Sequence, residues 1–263
     1  MERGQLATDV DLFYLNLGEA RFLYHEIFEG HTYTKHGISL DDRSVVFDVG
    51  ANIGLVGIYL NSRWPGIHLY CFEPIPDTFA VLDANVKLHG LHARLFCCAL
   101  GHVPGEVIFT FYPNNSVMSG RYADRVEDTR TTQAFIGTRN PALLEQARHN
   151  PDVQQHLDSM LSRMFEARTV TCPVRRLSEV IATEKVERID LLKIDVEKAE
   201  HDVIAGIDEP DWGKIRQLVV EMHDIDGRVE QLTDLLKHQG FDVVLEQDPA
   251  LTSSNIYNIY GRR

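Results

Sequence analysis

Three apolar runs, each followed by a helical pattern, constrain this chain more than anything else in it. Ser44–Gly50 (SVVFDVG) is a continuous apolar run ending in a turn, and residues 53–62 (IGLVGIYLNS) open a helix immediately behind it. Residues 67–73 (IHLYCFE) form a second run, and Phe79, Leu82 and Val86 recur at helical spacing after it. Residues 93–99 (ARLFCCA) form a third. Short apolar runs that are not alternating read as strands buried on both faces. Strands of that kind alternating with helices specify a parallel sheet covered on both sides, an α/β fold.

The pattern then changes. Residues 106–112 read as an extra strand, and residues 113–169 are polar and irregular with two embedded helix starts. Asn140-Pro141 and Asn150-Pro151 each place a capping residue before a proline at the first helical position. After the second, Val153, Leu157, Met160, Leu161, Met164 and Phe165 recur at steps of three and four, an amphipathic helix. This stretch is either an ordinary packed insertion or a lid whose face of Leu157, Leu161 and Met164 covers a substrate pocket. The α/β pattern resumes with strands expected at 170–174, 189–195, 216–222, 241–245 and 255–260 and helices at 177–183, near 197–206 and at 228–239. The last two strands are expected as an antiparallel pair at one edge. Residues 1–40 read as short helical pieces. Without an internal repeat or a linker, residues 1–263 read as one domain carrying an insertion.

Composition narrows the partners. With 26 basic and 39 acidic residues the net charge is −13, which opposes phosphate backbones and anionic lipid, so neither nucleic acid nor membrane is expected as a partner. No apolar run approaches a membrane span and the first ten residues do not read as a signal peptide, which predicts a cytoplasmic protein. Cys71, Cys97, Cys98 and Cys172 form no C-x-x-C, as befits small buried hydrophobes in a reducing compartment.

Four strand ends carry the chemistry. In Asp48-Val49-Gly50-Ala51-Asn52-Ile53-Gly54, Gly50 can take the tight turn into the helix. Asn52 stands where a dinucleotide fingerprint would need its middle glycine, so a pyrophosphate is disfavoured. A nucleoside ligand with cationic groups and no phosphate, such as S-adenosylmethionine, fits better, with Asp48 near the cation. Glu73 ends the second strand 23 residues after Gly50, the position from which a carboxylate accepts both ribose hydroxyls. Asp195 and Glu197 end the strand that contains Lys193; they stand either at a ligand site or as the cap and first turn of the following helix. Glu221 sits inside an apolar strand that ends at His223, a rim histidine suited to general-base work, with Asp195 or Glu221 to orient it. Asp195, Glu197, Glu221 and His223 also form a hard-ligand set for a divalent metal, ranked behind a metal-free site.

VVFDVGANIGLVGIYL, YCFEPIPDTFAVLDANV, the CCALG strand end, IDLLKIDVEKAEHDVIAG and LVVEMH together resemble the successive motifs of FkbM-type S-adenosylmethionine-dependent methyltransferases, over about residues 44–245. The resemblance implies a class I methyltransferase (Rossmann-like) fold, with a seven-stranded, mostly parallel sheet whose last strand is antiparallel. It implies methyl transfer, usually to a hydroxyl oxygen in secondary metabolism or sugar tailoring. It carries Asp48, Gly50 and Asn52 onto the amino-acid part of the donor, Glu73 onto the ribose, Ala99 and Leu100 onto the adenine side, and Asp195 beside the reacting methyl. The expected acceptor is a small metabolite, a sugar or a carrier-tethered intermediate. An N-methyltransferase of the same fold and a non-catalytic adenosine-ligand binder are the rival readings. Lys198 departs from the family pattern, which has glycine there, and is expected to narrow the space or add charge beside the donor.

Overall fold

The computed structural model describes residues 1–6, 10–252 and 254–263. Residues 7–9, within the segment expected to be helical, lie outside the described residues. That segment opens instead with a hairpin, β1 (Glu2–Gln5) antiparallel to β2 (Asp11–Tyr14). Asn85 anchors it, accepting from the Phe13 amide at 2.7 Å and donating to the Phe13 carbonyl at 2.9 Å. Helix α1 (Leu17–Tyr24) follows, with Asn16 capping the amides of Gly18 and Glu19, and runs on into a π turn over His25–Glu29.

The βαβαβ unit is present as β3 (Val45–Val49), α2 (Leu55–Arg63), β4 (His68–Phe72), α3 (Pro76–His89) and β5 (Ala93–Phe96). The run 93–99, expected as one strand, is two: β6 (Ala99–Leu100) leaves the main sheet and pairs elsewhere. Next come β7 (Gly105–Phe111), the insertion helices α4 (Arg125–Arg139), α5 (Pro141–His149) and α6 (Pro151–Met164), and β8 (Arg168–Arg175). Both Asn-Pro starts are helix caps, with Asn140 accepting from Leu143 N and Asn150 from Asp152 N. The chain ends with α7 (Leu177–Thr183), β9 (Leu191–Ile194), α8 (Glu200–Ile204), α9 (Glu209–Trp212), β10 (Gln217–His223), α10 (Arg228–His238), β11 (Asp242–Glu246) and β12 (Ile256–Arg262).

The seven-stranded sheet has the order β11-β12-β10-β9-β3-β4-β5. Only β12 opposes its neighbours; β10, β9, β3, β4 and β5 pair in parallel. This is the class I methyltransferase arrangement. Successive residues of a strand face opposite sides of a sheet. Val46 and Leu191 accordingly pack with α2, α3 and the N-terminal segment, and Phe47 and Leu192 pack with α7 and α10. A second sheet, β6-β8-β7, carries the insertion, whose helices enclose a small core of Ala147, Leu157 and Leu161. No helix among the described residues is long and apolar enough to cross a membrane.

Strand order reverses between β3 and β9, which are hydrogen-bonded neighbours. Chain segments diverge there to opposite faces, which leaves a crevice outside the carboxyl ends of the strands. The Gly50 turn and the Asp195–Glu200 loop both leave the sheet at this point.

Candidate active site

Gly50 makes the β3–α2 turn with φ +79°, and a side chain on it would place Cβ 1.7 Å from the Asp195 carbonyl oxygen. The amides of Gly50 and Ala51 both donate to the Phe72 carbonyl at 3.0 Å. Asn52 follows at φ +47°, a left-handed conformation that asparagine tolerates better than most residues. Its amide donates to Glu73 Oε2 at 3.1 Å, and the Ile75 amide donates to Glu73 Oε1 at 2.9 Å. Glu73 is buried, and burial pushes its pKa up to about 7 against those two hydrogen bonds. Asn52 Nδ2 donates to Ser116 Oγ at 3.1 Å, and the Ser116 amide donates to Glu19 Oε2 at 2.6 Å. One polar chain thus joins the turn to α1 and to the start of the insertion.

Above this turn lies a cavity of about 580 Å³. Gly50, Asn52, Glu73, Ala99, Leu100 and Asp195, all expected on the donor side, line it. Asp48 does not. It is fully buried beneath the turn, with Lys193 Nζ at 3.1 Å. Lys193 also donates to the Gly50 carbonyl at 2.6 Å and lies 3.7 Å from Asp195. Burial alone would lower the Lys193 pKa, but the charges of Asp48 and Asp195 outweigh it and raise the pKa, so the lysine stays charged. A direct role for Asp48 against a ligand cation is corrected by this: its charge already has a partner under the floor.

Further carboxyl side chains share the cavity wall. Asp195, Glu197 and Glu221 line it, joined by Glu26 from the π turn. Tyr33 donates to Asp195 Oδ2 at 2.9 Å. Burial is the main reason the Glu26 pKa rises to about 7 and that of Glu197 to about 8, with neighbouring carboxylates adding to both. The Glu221 pKa is also raised, by burial first and then by the neighbouring carboxylates. One oxygen each from Asp195, Glu197 and Glu221 lies within 4.8 Å of the others, so these three could hold a divalent cation.

His223 is not among them. Its ring is buried, with Nδ1 3.1 Å from Glu200 Oε1 and Nε2 3.5 Å from Glu197 Oε2, and it does not line the cavity. The partners expected to orient it, Asp195 and Glu221, are replaced by Glu200 and Glu197. Burial lowers its pKa, but the bond to Glu200 and the charge of Glu197 prevail and raise it. A histidine enclosed between two carboxylates is suited to holding a proton rather than to collecting one from a ligand.

The capping alternative for Asp195 and Glu197 also fails. Glu197 and Lys198 have φ +49° and +72°, so α8 cannot begin there; its cap is Ala199. Lys198 does not line the cavity, and its side chain is taken up by Glu127 and Asp128 of α4, so it neither narrows the space nor adds charge there. On the insertion, Met160 and Met164 line the cavity, while Leu157 and Leu161 close the insertion's own core. Phe22 and Leu23 of α1, Phe109 of β7 and Phe135 and Ile136 of α4 give the cavity an apolar lining. Glu26, Tyr33 and Glu19 were not legible in the sequence; Lys193 was, as a charge inside the apolar strand that ends at Asp195.

The profile of the family described as Methyltransferase FkbM domain matches residues 48–243. The chain is 38% identical over its whole length to the 31-O-demethyl-FK506 methyltransferase FkbM of Streptomyces tacrolimicus, covering 97% of that protein. It is 37% identical to part of the AMB antimetabolite synthetase AmbE of Pseudomonas aeruginosa, with 95% of this chain matching 12% of that one. Methyltransferase FkbM from Methylobacillus flagellatus KT shares the fold, with a TM-score of 0.51 at 12% identity over 87% of this chain and 46% of that one. On the matched profile and the full-length similarity, the chain belongs to the FkbM methyltransferase family.

Proposed function

We propose that this methyltransferase uses S-adenosylmethionine and methylates a hydroxyl oxygen of a small metabolite, sugar or carrier-tethered intermediate in cytoplasmic secondary metabolism. The observation that carries the reading is one cavity at the β3/β9 crevice that brings the expected donor residues together with Asp195, Glu197, Glu221 and Glu26 and with apolar side chains of α1, β7 and α4. A carboxyl-lined pocket suits the sulfonium and ammonium of a ligand that carries a single carboxylate and no phosphate, and the chain's net charge of −13 disfavours a phosphate-bearing one. The same charge argues against a nucleic acid acceptor. The name of the Streptomyces relative supports oxygen as the acceptor atom, and the match inside a synthetase keeps a carrier-tethered acceptor in view.

The residues present fit the donor. Glu73 lines the cavity and has used two of a carboxylate's roughly four acceptor positions on backbone amides, which leaves capacity for ribose hydroxyls. Gly50 and Asn52 would hold the amino-acid part, and Ala99 and Leu100 the adenine side. When bound, the donor supplies a methyl group already activated by its sulfonium. The chain's remaining work is to align the acceptor oxygen, exclude water and take its proton. We assign the proton to the Asp195–Glu221 pair at the cavity wall, with His223 positioning Glu197 from behind. Lys193 and Tyr33 on Asp195, and His223 on Glu197, already balance much of the negative charge. Transfer is therefore assigned no metal.

Methyl-labelled donor incubated with hydroxylated sugars, hydroxy acids and hydroxyacyl thioesters tests this, with products identified by mass spectrometry. O-methyl products are expected. Transfer to amines alone would overturn the oxygen assignment, and absence of donor binding by calorimetry would overturn the cofactor.

A further inference from the structure

We infer that Lys198 is a latch, a positioning residue that holds the insertion helix α4 closed over the cavity. Its ammonium lies 2.8 Å from Asp128 Oδ1 and 2.9 Å from Glu127 Oε2. Lys198 and Asp128 are 7% and 2% exposed, so the contact is sealed from solvent. Tyr112 donates to the other Asp128 oxygen at 3.3 Å, and Arg228 donates to the Lys198 carbonyl at 3.1 Å.

Two features of α4 make this contact decisive. Asp128 is its one buried residue. The helix's apolar contacts, Ile136 against the insertion core and Phe135 against α1, lie in its second half, so the buried ion pair is what fixes its first turns. Thr131, Thr132, Phe135 and Ile136 line the cavity and stand three, four, seven and eight residues after Asp128. These spacings put them on the same face of the helix as the latch. At the far end Phe135 meets Phe22 of α1 edge-on, with centroids 5.6 Å apart. Helix α4 therefore spans the cavity from Lys198 to α1.

The backbone at Lys198 adds an independent argument. Its φ of +72° is a conformation that glycine adopts freely and lysine does not. A lysine there stands against local preference, and the contact its side chain makes is with the insertion. Removing one partner of a buried pair leaves the other charged and unmatched, so the contact should behave as an all-or-none fastening.

Hydrogen exchange on the full chain without ligand tests the latch directly. In Lys198→Met and Lys198→Gly, amide protection across 125–139 is expected to fall ten-fold or more, while β9 and β10 keep theirs; Lys198→Arg should retain most of it. Lys198→Gly also relieves the left-handed strain, so its melting temperature should fall less than that of Lys198→Met, while protection across 125–139 falls as far in both. If Lys198→Met does not fold, Asp128→Asn breaks the same contact from the other side. A second arm rests on the donor reading: S-adenosylhomocysteine should bind and leave several-fold faster in Lys198→Gly with its Kd within two-fold of the wild type. Unchanged protection over 125–139, or protection lost equally in β9 and β10, would overturn the inference. Failure of S-adenosylhomocysteine to bind the wild type would instead overturn the donor, leaving the latch to the ligand-free exchange.

Discussion

The carbonyl of Asp195 lies where a Cβ on Gly50 would have to be, at 1.7 Å. The turn after β3 and the loop after β9 are therefore in direct backbone contact, and the floor of the cavity is their junction. Lys193 reinforces it from below by holding the Gly50 carbonyl, Asp48 and Asp195 together.

Gly50→Ala is consequently expected to be severe. It combines a side chain at φ +79° with a clash against backbone that cannot rotate away. A loss of about 3 kcal/mol or more is expected from overpacking and strain together. Denaturant unfolding measures it, and a loss below 1 kcal/mol would mean the two loops separate easily.

Glu73 has two duties that substitution can separate. Its oxygens accept the Asn52 and Ile75 amides, and its remaining acceptor capacity is proposed for the ribose. Glu73→Ala should weaken S-adenosylmethionine binding by about 1–3 kcal/mol, the scale for hydrogen bonds to a charged group. Glu73→Gln keeps one acceptor oxygen and should lose less. Calorimetric titration of both proteins decides; equal affinities in wild type and Glu73→Ala would remove Glu73 from the donor site.

The proton assignment predicts an order among three variants. Asp195→Asn and Glu221→Gln should each lower kcat by about 10²–10⁴-fold, the range for a positioned base. His223→Gln should lower it less than ten-fold, since the ring does not line the cavity. Rates with an accepted hydroxyl substrate test this, and a His223→Gln loss matching the other two would restore the histidine as the base.

Buried carboxylates with raised pKa values also make stability fall with pH. Glu26 and Glu73 at about 7 and Glu197 at about 8 lie above the ordinary value of 4.5. The folded state therefore binds more protons than the unfolded state between about pH 4.5 and 8. These contributions are fully present below the lower limit and lost as pH rises through 7–8; the raised pKa of His223 acts with the same sign. The ligand-free protein should melt at a higher temperature at pH 5.5 than at pH 8.5. Glu197→Gln should flatten that slope and add about 1–2 kcal/mol at pH 8.5. A melting temperature that rises across this range would contradict the burial of these groups.

Local chemistry is legible in the sequence alone. The apolar runs specified the strands, Gly50 the turn, and Asn140 and Asn150 the helix starts, because strand period, left-handed φ and capping depend on residues only a few positions apart. Helix α4 has no apolar period in the sequence because it is polar almost all round, although Asp124 and Glu127 carry a capping signal at its start. The run 93–99 misled because an apolar strand and a strand that changes sheets look alike until a partner is known. Which titratable groups share a wall depended on tertiary structure alone. Asp48 and His223 have the composition of site residues, yet Lys193, Glu197 and Glu200 enclose them below the cavity. Glu26 has no sequence signal and faces into it. The physical reason is that burial and charge pairing act over distances of a few ångströms between residues as far apart in the chain as Glu26 and Glu221, and no local pattern records that meeting.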